Sequence, residues 1–338
     1  MKKSILLIAS LFFAACEKPS EPEVPVIIFE TDMGNDVDDA LALDMIYKYL
    51  DMEKVKVLAI SSNKQSPYST EYIHLMNHWY GYPDIPIAKV INGIDSENDA
   101  RKYAEFVSLQ KDSTGAPLFQ RPDFDYDQVP ESVSLYREIL AKQPDHSVTL
   151  VSVGFSTNIY RLLNSLPDEY SPLSGKELIA KKVKLLSMMA GSFGEKNIPE
   201  YNVVKDIPAA QNITEEWPTP IVFTPFEAGI AVTYPATSIE NDFTWAPYHP
   251  VVEAYKHYLD MPYDRPTWDL IALLYVVENS PEYFTLSEAG AITVDDKGYT
   301  SFTASKDGKH RYLTVDSVQA LKTRQHFVEL ITAKPNLK

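Results

Sequence analysis

Short apolar runs recur along the chain, each stopped by polar residues or glycine and most followed by a helical repeat. Val24–Phe29 is an uninterrupted apolar run, the pattern of a strand buried on both faces. The helical pattern behind it sets Leu43, Ile46, Tyr47 and Leu50 on one face, at i, i+3, i+4 and i+7. Val55–Ile60 predicts a second strand, closed by Ser61-Ser62-Asn63. A helix over about residues 70–80 and a short strand near Ile85–Val90 follow. Residues 92–130 are polar and rich in Asp and Pro, and read as a lid or an insertion. The alternation resumes with a strand over Ser147–Val153 stopped by Gly154, a helix over Ser156–Leu166, and strands over Val183–Met189 and Pro220–Thr224. Asp295-Asp296-Lys297-Gly298 is a turn signal that predicts a hairpin within residues 290–315.

Strands alternating with helices predict a single Rossmann-like α/β domain over residues 24–338. Its sheet is mostly parallel, with helices on both faces and a C-terminal hairpin. Ligands of such sheets sit beyond the carboxyl ends of the strands, where Asp32, Asn63, Gly154 and Gly191 fall. Composition adds two constraints. The 45% hydrophobic and 12% aromatic content suits a folded chain with a sizeable core. A formal net charge of -16 argues against nucleic-acid binding and favours a cation or a small neutral ligand.

The first residues read differently. Lys2 and Lys3, the apolar Ile5–Phe13 and then Ala14-Ala15-Cys16 have the order of a bacterial lipoprotein signal. On this reading residues 1–15 are removed and Cys16 is lipidated, while residues 16–23 form a flexible tether. The protein would then be an exported lipoprotein on the cell envelope, touching the membrane only through its anchor. Cys16 is the only cysteine, so no disulfide forms within the monomer. Self-association is left open.

Chemistry concentrates where the first strand ends. Glu30, Asp32, Asp36, Asp38 and Asp39 lie within ten residues, a concentration of like charge that is costly unless a cation neutralises it. An EF-hand fails, because Gly34 comes too early and Leu43 stands where the closing Glu belongs. A phosphoaspartyl transferase would need an Asp nucleophile where this chain has Glu30. The stretch resembles the Asp-x-Asp-Pro-Gly-x-Asp-Asp-Ala motif of the inosine-uridine-preferring nucleoside hydrolases, with Glu30, Asp32, Gly34, Asp38, Asp39 and Ala40 in matching order. Met33 replaces the Pro, and two residues are inserted before the paired aspartates. Further segments are similar in the right order: Leu150–Asn158, Met188–Gly191, Pro199–Val203 with Asp206 behind it, and Pro266-Thr267-Trp268-Asp269.

The resemblance implies hydrolysis of the N-glycosidic bond of a ribonucleoside, with Ca2+ as cofactor. Asp32, Asp39, Asp269 and the backbone carbonyl of Val153 would hold the metal, with Asp32 also the base that takes a proton from water. Asp38, Glu200 and Asn202 would bind the ribose, with Asn63 in the same shell. Trp268 stands where many members have His; it stacks on a base but cannot protonate one, which leans the substrate towards purines. His249 is the one histidine to test as a replacement acid, against a surface or helix-start role. Two alternatives stay open: a hydrolase of another riboside, and a tethered metal- and sugar-binding protein without turnover.

Overall fold

Consecutive residues of the first strand point into two different cores. In the computed structural model, which describes residues 23–95 and 101–336, Ile27 and Phe29 join one buried cluster while Ile28 joins the other. The same alternation separates Leu150 from Val151 and Val222 from Phe223, so the sheet is covered on both faces. The strands are β1 (Val26–Thr31), β2 (Lys56–Ser62), β3 (Ile87–Lys89), β4 (Val148–Ser152), β5 (Val183–Met189) and β6 (Ile221–Thr224). After them come β7 (Thr233–Tyr234), β8 (Arg265–Pro266), β9 (Thr285–Leu286), β10 (Gly290–Val294), β11 (Thr300–Ala304) and β12 (His310–Thr314). Ten of them form one sheet in the order β11-β10-β12-β6-β5-β4-β1-β2-β3, with β9 beside β12. Every pair from β3 across to β12 is parallel. The predicted hairpin is β10–β11, paired from Gly290↔Ala304 to Val294↔Thr300 around the Asp295–Gly298 turn.

Chain order places the functional crevice. From β1 the chain runs outward through β2 to β3, then returns to the other side of β1 as β4. The carboxyl ends of β1 and β4 therefore flank a switch point, where open α/β sheets bind ligands. The helix Asp38–Asp51, which leaves β1 there, departs from the one-sided pattern of its sequence. It is buried on all sides from Asp38 to Tyr49, because the helices Trp268–Val277 and Ser317–Thr332 cover its other faces. Its polar residues find partners inside: Tyr80 donates to Asp44, whose other oxygen lies 3.9 Å from Lys48 Nζ, and Lys48 donates to the Ala333 carbonyl while lying over the Tyr80 and Trp245 rings.

Residues 92–130 hold the helix Tyr103–Leu109 and a single turn at Tyr126–Gln128. Residues 1–22, with the leader, Cys16 and nearly all of the tether, lie outside the described residues. No helix among the described residues is long and apolar enough to cross a membrane.

Close backbone approach at the switch point needs glycine. A Cβ on Gly154 would lie 2.4 Å from Asn63 Oδ1, 2.6 Å from the Asp32 nitrogen and 2.8 Å from Asp32 Cβ. Two of these three are fixed by the main chain of β1's exit, so the clash cannot be relieved by one flexible side chain. Gly154→Ala should therefore cost about 1–3 kcal/mol of stability. Urea denaturation measures it, and an unchanged midpoint would show that the Asp32 turn yields freely.

Candidate active site

A cavity of about 480 Å³ opens at the carboxyl ends of β1 and β4. Its floor is built by two helices that start at the same place. Asp38 and Asp39 occupy the first turn of the helix Asp38–Asp51, and Asp269 the first turn of Trp268–Val277. One carboxylate oxygen from each of the three lies within 4.8 Å of the others. The converging helix N-termini contribute partial positive charge. The backbone N–H of Asp269 donates to Asp38 Oδ2 at 3.1 Å, and Thr31 Oγ1 donates to Asp39.

These contacts do not balance the charge. Asp38, Asp39 and Asp269 are all buried, and each is pushed well above the usual carboxylate range. Burial is the largest cause. Repulsion from neighbouring aspartates comes next: Asp36 on Asp38, Asp32 on Asp39, Asp38 on Asp269. Asp32 is raised to about 6, again chiefly by burial. The donor set is all carboxylate oxygen and short of positive charge, which fits a hard divalent cation. The carboxylates that gather most closely thus include Asp38, which the sequence assigned to the sugar. Asp32 stands beside them and accepts a hydrogen bond from the Asn35 amide. Val153 lines the cavity at the end of β4.

Glu200 and Asn202 line the same cavity. Glu200 caps the short helix Tyr201–Lys205, accepting from the N–H groups of Asn202 (2.9 Å), Gly191 (3.2 Å) and Val203 (3.2 Å). Burial outweighs these bonds and raises it to about 7. Asn202 Nδ2 donates to the Met189 carbonyl at 3.2 Å, which aims its amide. Trp268 forms the wall beside Asp269, its Nε1 donating to the Phe226 carbonyl at 3.0 Å and its ring stacked on Phe226 at 5.7 Å.

Asn63 lies one layer deeper, fully buried, with Nδ2 3.4 Å from Glu30 Oε1 and Oδ1 without a hydrogen-bond partner among the described residues. Glu30 also accepts from Ser152 Oγ (2.6 Å) and Tyr136 OH (2.9 Å), and burial raises its carboxyl. It braces β1 against β4 beneath the aspartates. His249 caps the helix Pro250–Tyr258, with Nδ1 accepting from the Val251 N–H at 3.3 Å. It is 1% exposed and packed among Trp79, Phe243 and Trp245, so it is a helix-start residue in the core rather than at the surface.

Several site residues were given no role from the sequence. Asp36, in the two-residue insertion, is held in a fork by Arg265, with Nε 2.8 Å from Oδ1 and Nη2 on Oδ2. Arg265 precedes the Pro266–Asp269 motif directly, so its neighbourhood was a usable signal. Tyr103 pins the same loop, its hydroxyl accepting from the Gly34 N–H at 2.9 Å and donating to the Asp36 carbonyl at 2.8 Å. Gly34 allows the loop to turn with φ at 106°. Arg101, Tyr258 and Phe226 also line the cavity, and nothing local in their sequence marks them.

The sequence model described as inosine-uridine preferring nucleoside hydrolase matches residues 27–328. A pyrimidine-specific ribonucleoside hydrolase of Citrobacter koseri is 28% identical over 214 residues, 62% of this chain and only 61% of that relative's length. Another so described, from an Enterobacter species, is 27% identical and covers 91% of this chain and 96% of its own length. The solved purine-preferring ribonucleoside hydrolase from Gardnerella vaginalis shares the fold, with a TM-score of 0.68 at 15% identity, over 91% of this chain and 98% of that one. With its match running through every motif from β1 to the last helix, the chain belongs to the inosine-uridine preferring nucleoside hydrolase family.

Proposed function

We propose that the protein hydrolyses the N-glycosidic bond of ribonucleosides, with a lean towards purines, to give ribose and free base in a calcium-dependent reaction. The observation that carries this is convergence in one cavity: the clustered, buried Asp38, Asp39 and Asp269 share its lining with Glu200 and Asn202. Asp32, Asp39, Asp269 and the Val153 carbonyl would hold the calcium ion, with Asp38 clustered beside them for a ribose hydroxyl. Once bound, it would neutralise the floor and fix the sugar hydroxyls and the attacking water through oxygen ligands.

The chain's own residues supply the remaining steps. Asp32, held by the Asn35 amide beside the clustered carboxylates, takes the proton of the attacking water. The sugar gains positive charge as the bond to the base breaks, and the surrounding carboxylates stabilise it. Glu200 and the aimed amide of Asn202 position the ribose. Trp268, stacked on Phe226, offers a flat aromatic wall to the base, and this supports the lean towards purines. The order Lys2-Lys3, Ile5–Phe13, Ala14-Ala15-Cys16 supports an exported enzyme tethered by lipid at Cys16.

Asp32→Asn should lower kcat for ribose release by about 10²–10⁴-fold, the usual worth of general-base assistance. A reducing-sugar assay on a nucleoside panel reads it, and chelator should abolish release by the unmodified protein. Full, chelator-resistant turnover in the variant would remove both the base and the metal from the mechanism.

The raised carboxylates also set a pH dependence. Asp32 moves from 3.8 to about 6 and Glu200 from 4.5 to about 7, so the folded state keeps these protons where the unfolded chain has lost them. Stability then falls as pH rises through these windows. In differential scanning fluorimetry, chelated protein should melt at a lower temperature at pH 8 than at pH 5. Calcium should raise Tm more at pH 8, where its ligands are ionised. Equal stabilisation at both pH values would count against carboxylate ligation.

A further inference from the structure

The cavity lining holds two chemically different groups. The acidic one is described above. The other is Trp268, Tyr258 and Arg101, and Arg101 is the one cationic side chain among the described residues that line the cavity. No histidine lines it among the described residues. Arg101 is anchored, its Nη1 donating to the Tyr258 carbonyl at 2.8 Å and its guanidinium 5.0 Å from the Tyr258 ring centre. A guanidinium carries five N–H donors, so this anchor leaves capacity for a ligand. Arg265 links the same group, 5.2 Å from the Tyr258 ring and 5.4 Å from the Trp268 ring, but Asp36 neutralises it. Burial raises the Tyr258 phenol above its ordinary value, which suits it to donate a hydrogen bond and not a proton.

Resting on the hydrolase reading, we propose that Arg101 determines specificity by selecting ribosides whose aglycone carries or develops negative charge, with the acidic oxopurines as the class it fits best. In the reaction a water oxygen bonds to C1′ and the water proton passes to Asp32. The C1′–N bond breaks with both electrons staying on the base nitrogen. With no histidine among the described lining residues to protonate it, the base leaves as an anion that Arg101 can stabilise and takes its proton from solvent afterwards. Charge-assisted hydrogen bonds from a guanidinium stabilise that anion more than they stabilise a neutral base.

The test measures kcat/KM of the calcium-loaded full chain on xanthosine, inosine and inosine 5′-monophosphate, for wild type, Arg101→Met and Arg101→Lys. The xanthosine-to-inosine ratio should fall about tenfold in Arg101→Met, the worth of one charge-assisted contact, and recover in part in Arg101→Lys. An unchanged ratio overturns the inference while leaving the hydrolase intact. So does a loss confined to the 5′-monophosphate, which would place the anion on the sugar side. Release of free base from none of the three, nor from uridine or cytidine, by wild type would instead overturn the hydrolase reading, and this inference with it.

Discussion

Three buried carboxylates held within 4.8 Å of one another are the constraint on which the rest of the molecule depends. Left alone, such a group would protonate or move apart, since desolvation and repulsion both disfavour the charged form. Neither escape is easy here. Asp38 and Asp39 begin a helix that is enclosed as far as Tyr49, and Asp269 begins another packed against it. Retreat of any one carboxylate would unpack core. The fold thus holds the charges in place, and two helix N-termini and the Thr31 hydroxyl reduce their cost without cancelling it.

Support for this arrangement comes in two styles. Beneath the aspartates, Glu30 is enclosed by Ser152, Tyr136 and Asn63, a network joining β1, β2 and β4 through hydrogen bonds. Above them, the inserted Asp36 is tied to Arg265 by a partly exposed ion pair, and Tyr103 bonds the main chain of the same loop. The lower layer locks the sheet ends in register. The upper one joins the β1 loop to the segment that delivers Trp268 and Asp269, so the aspartate cluster and the Trp268 wall share a frame.

Much of this was legible in the sequence because it is local. Val24–Phe29 predicts a buried strand from an apolar run, and β1 occupies Val26–Thr31. The turn at Asp295–Gly298 marks its hairpin for the same reason. Asp32, Asp39, Val153, Glu200, Asn202 and Asp269 could be named because each sits within a short ordered motif, and all of them line one cavity. What the pattern did not show was relational. The spacing of Leu43, Ile46, Tyr47 and Leu50 suggested one apolar face, whereas the covering helices arrive from the distant C-terminal half. Asp36 looked idle because its partner lies 229 positions away. Residues 92–130 lacked periodicity, yet they bring Arg101 and Tyr103 to the site.

The sequence by itself determined the alternation of strands and helices, the acidic exit from β1 and the ordered motifs, since each depends on neighbours within a few turns of chain. Tertiary structure alone decided which carboxylates converge. Asp38 joins Asp39 and Asp269 because two helices separated by most of the chain start side by side, while Asp32 turns towards Asn35. It also decided that Arg101, anchored on Tyr258, shares a cavity with the acidic helix starts. Charge is written residue by residue, but a local field is a sum over distances, and distances between remote residues exist only once the chain has folded.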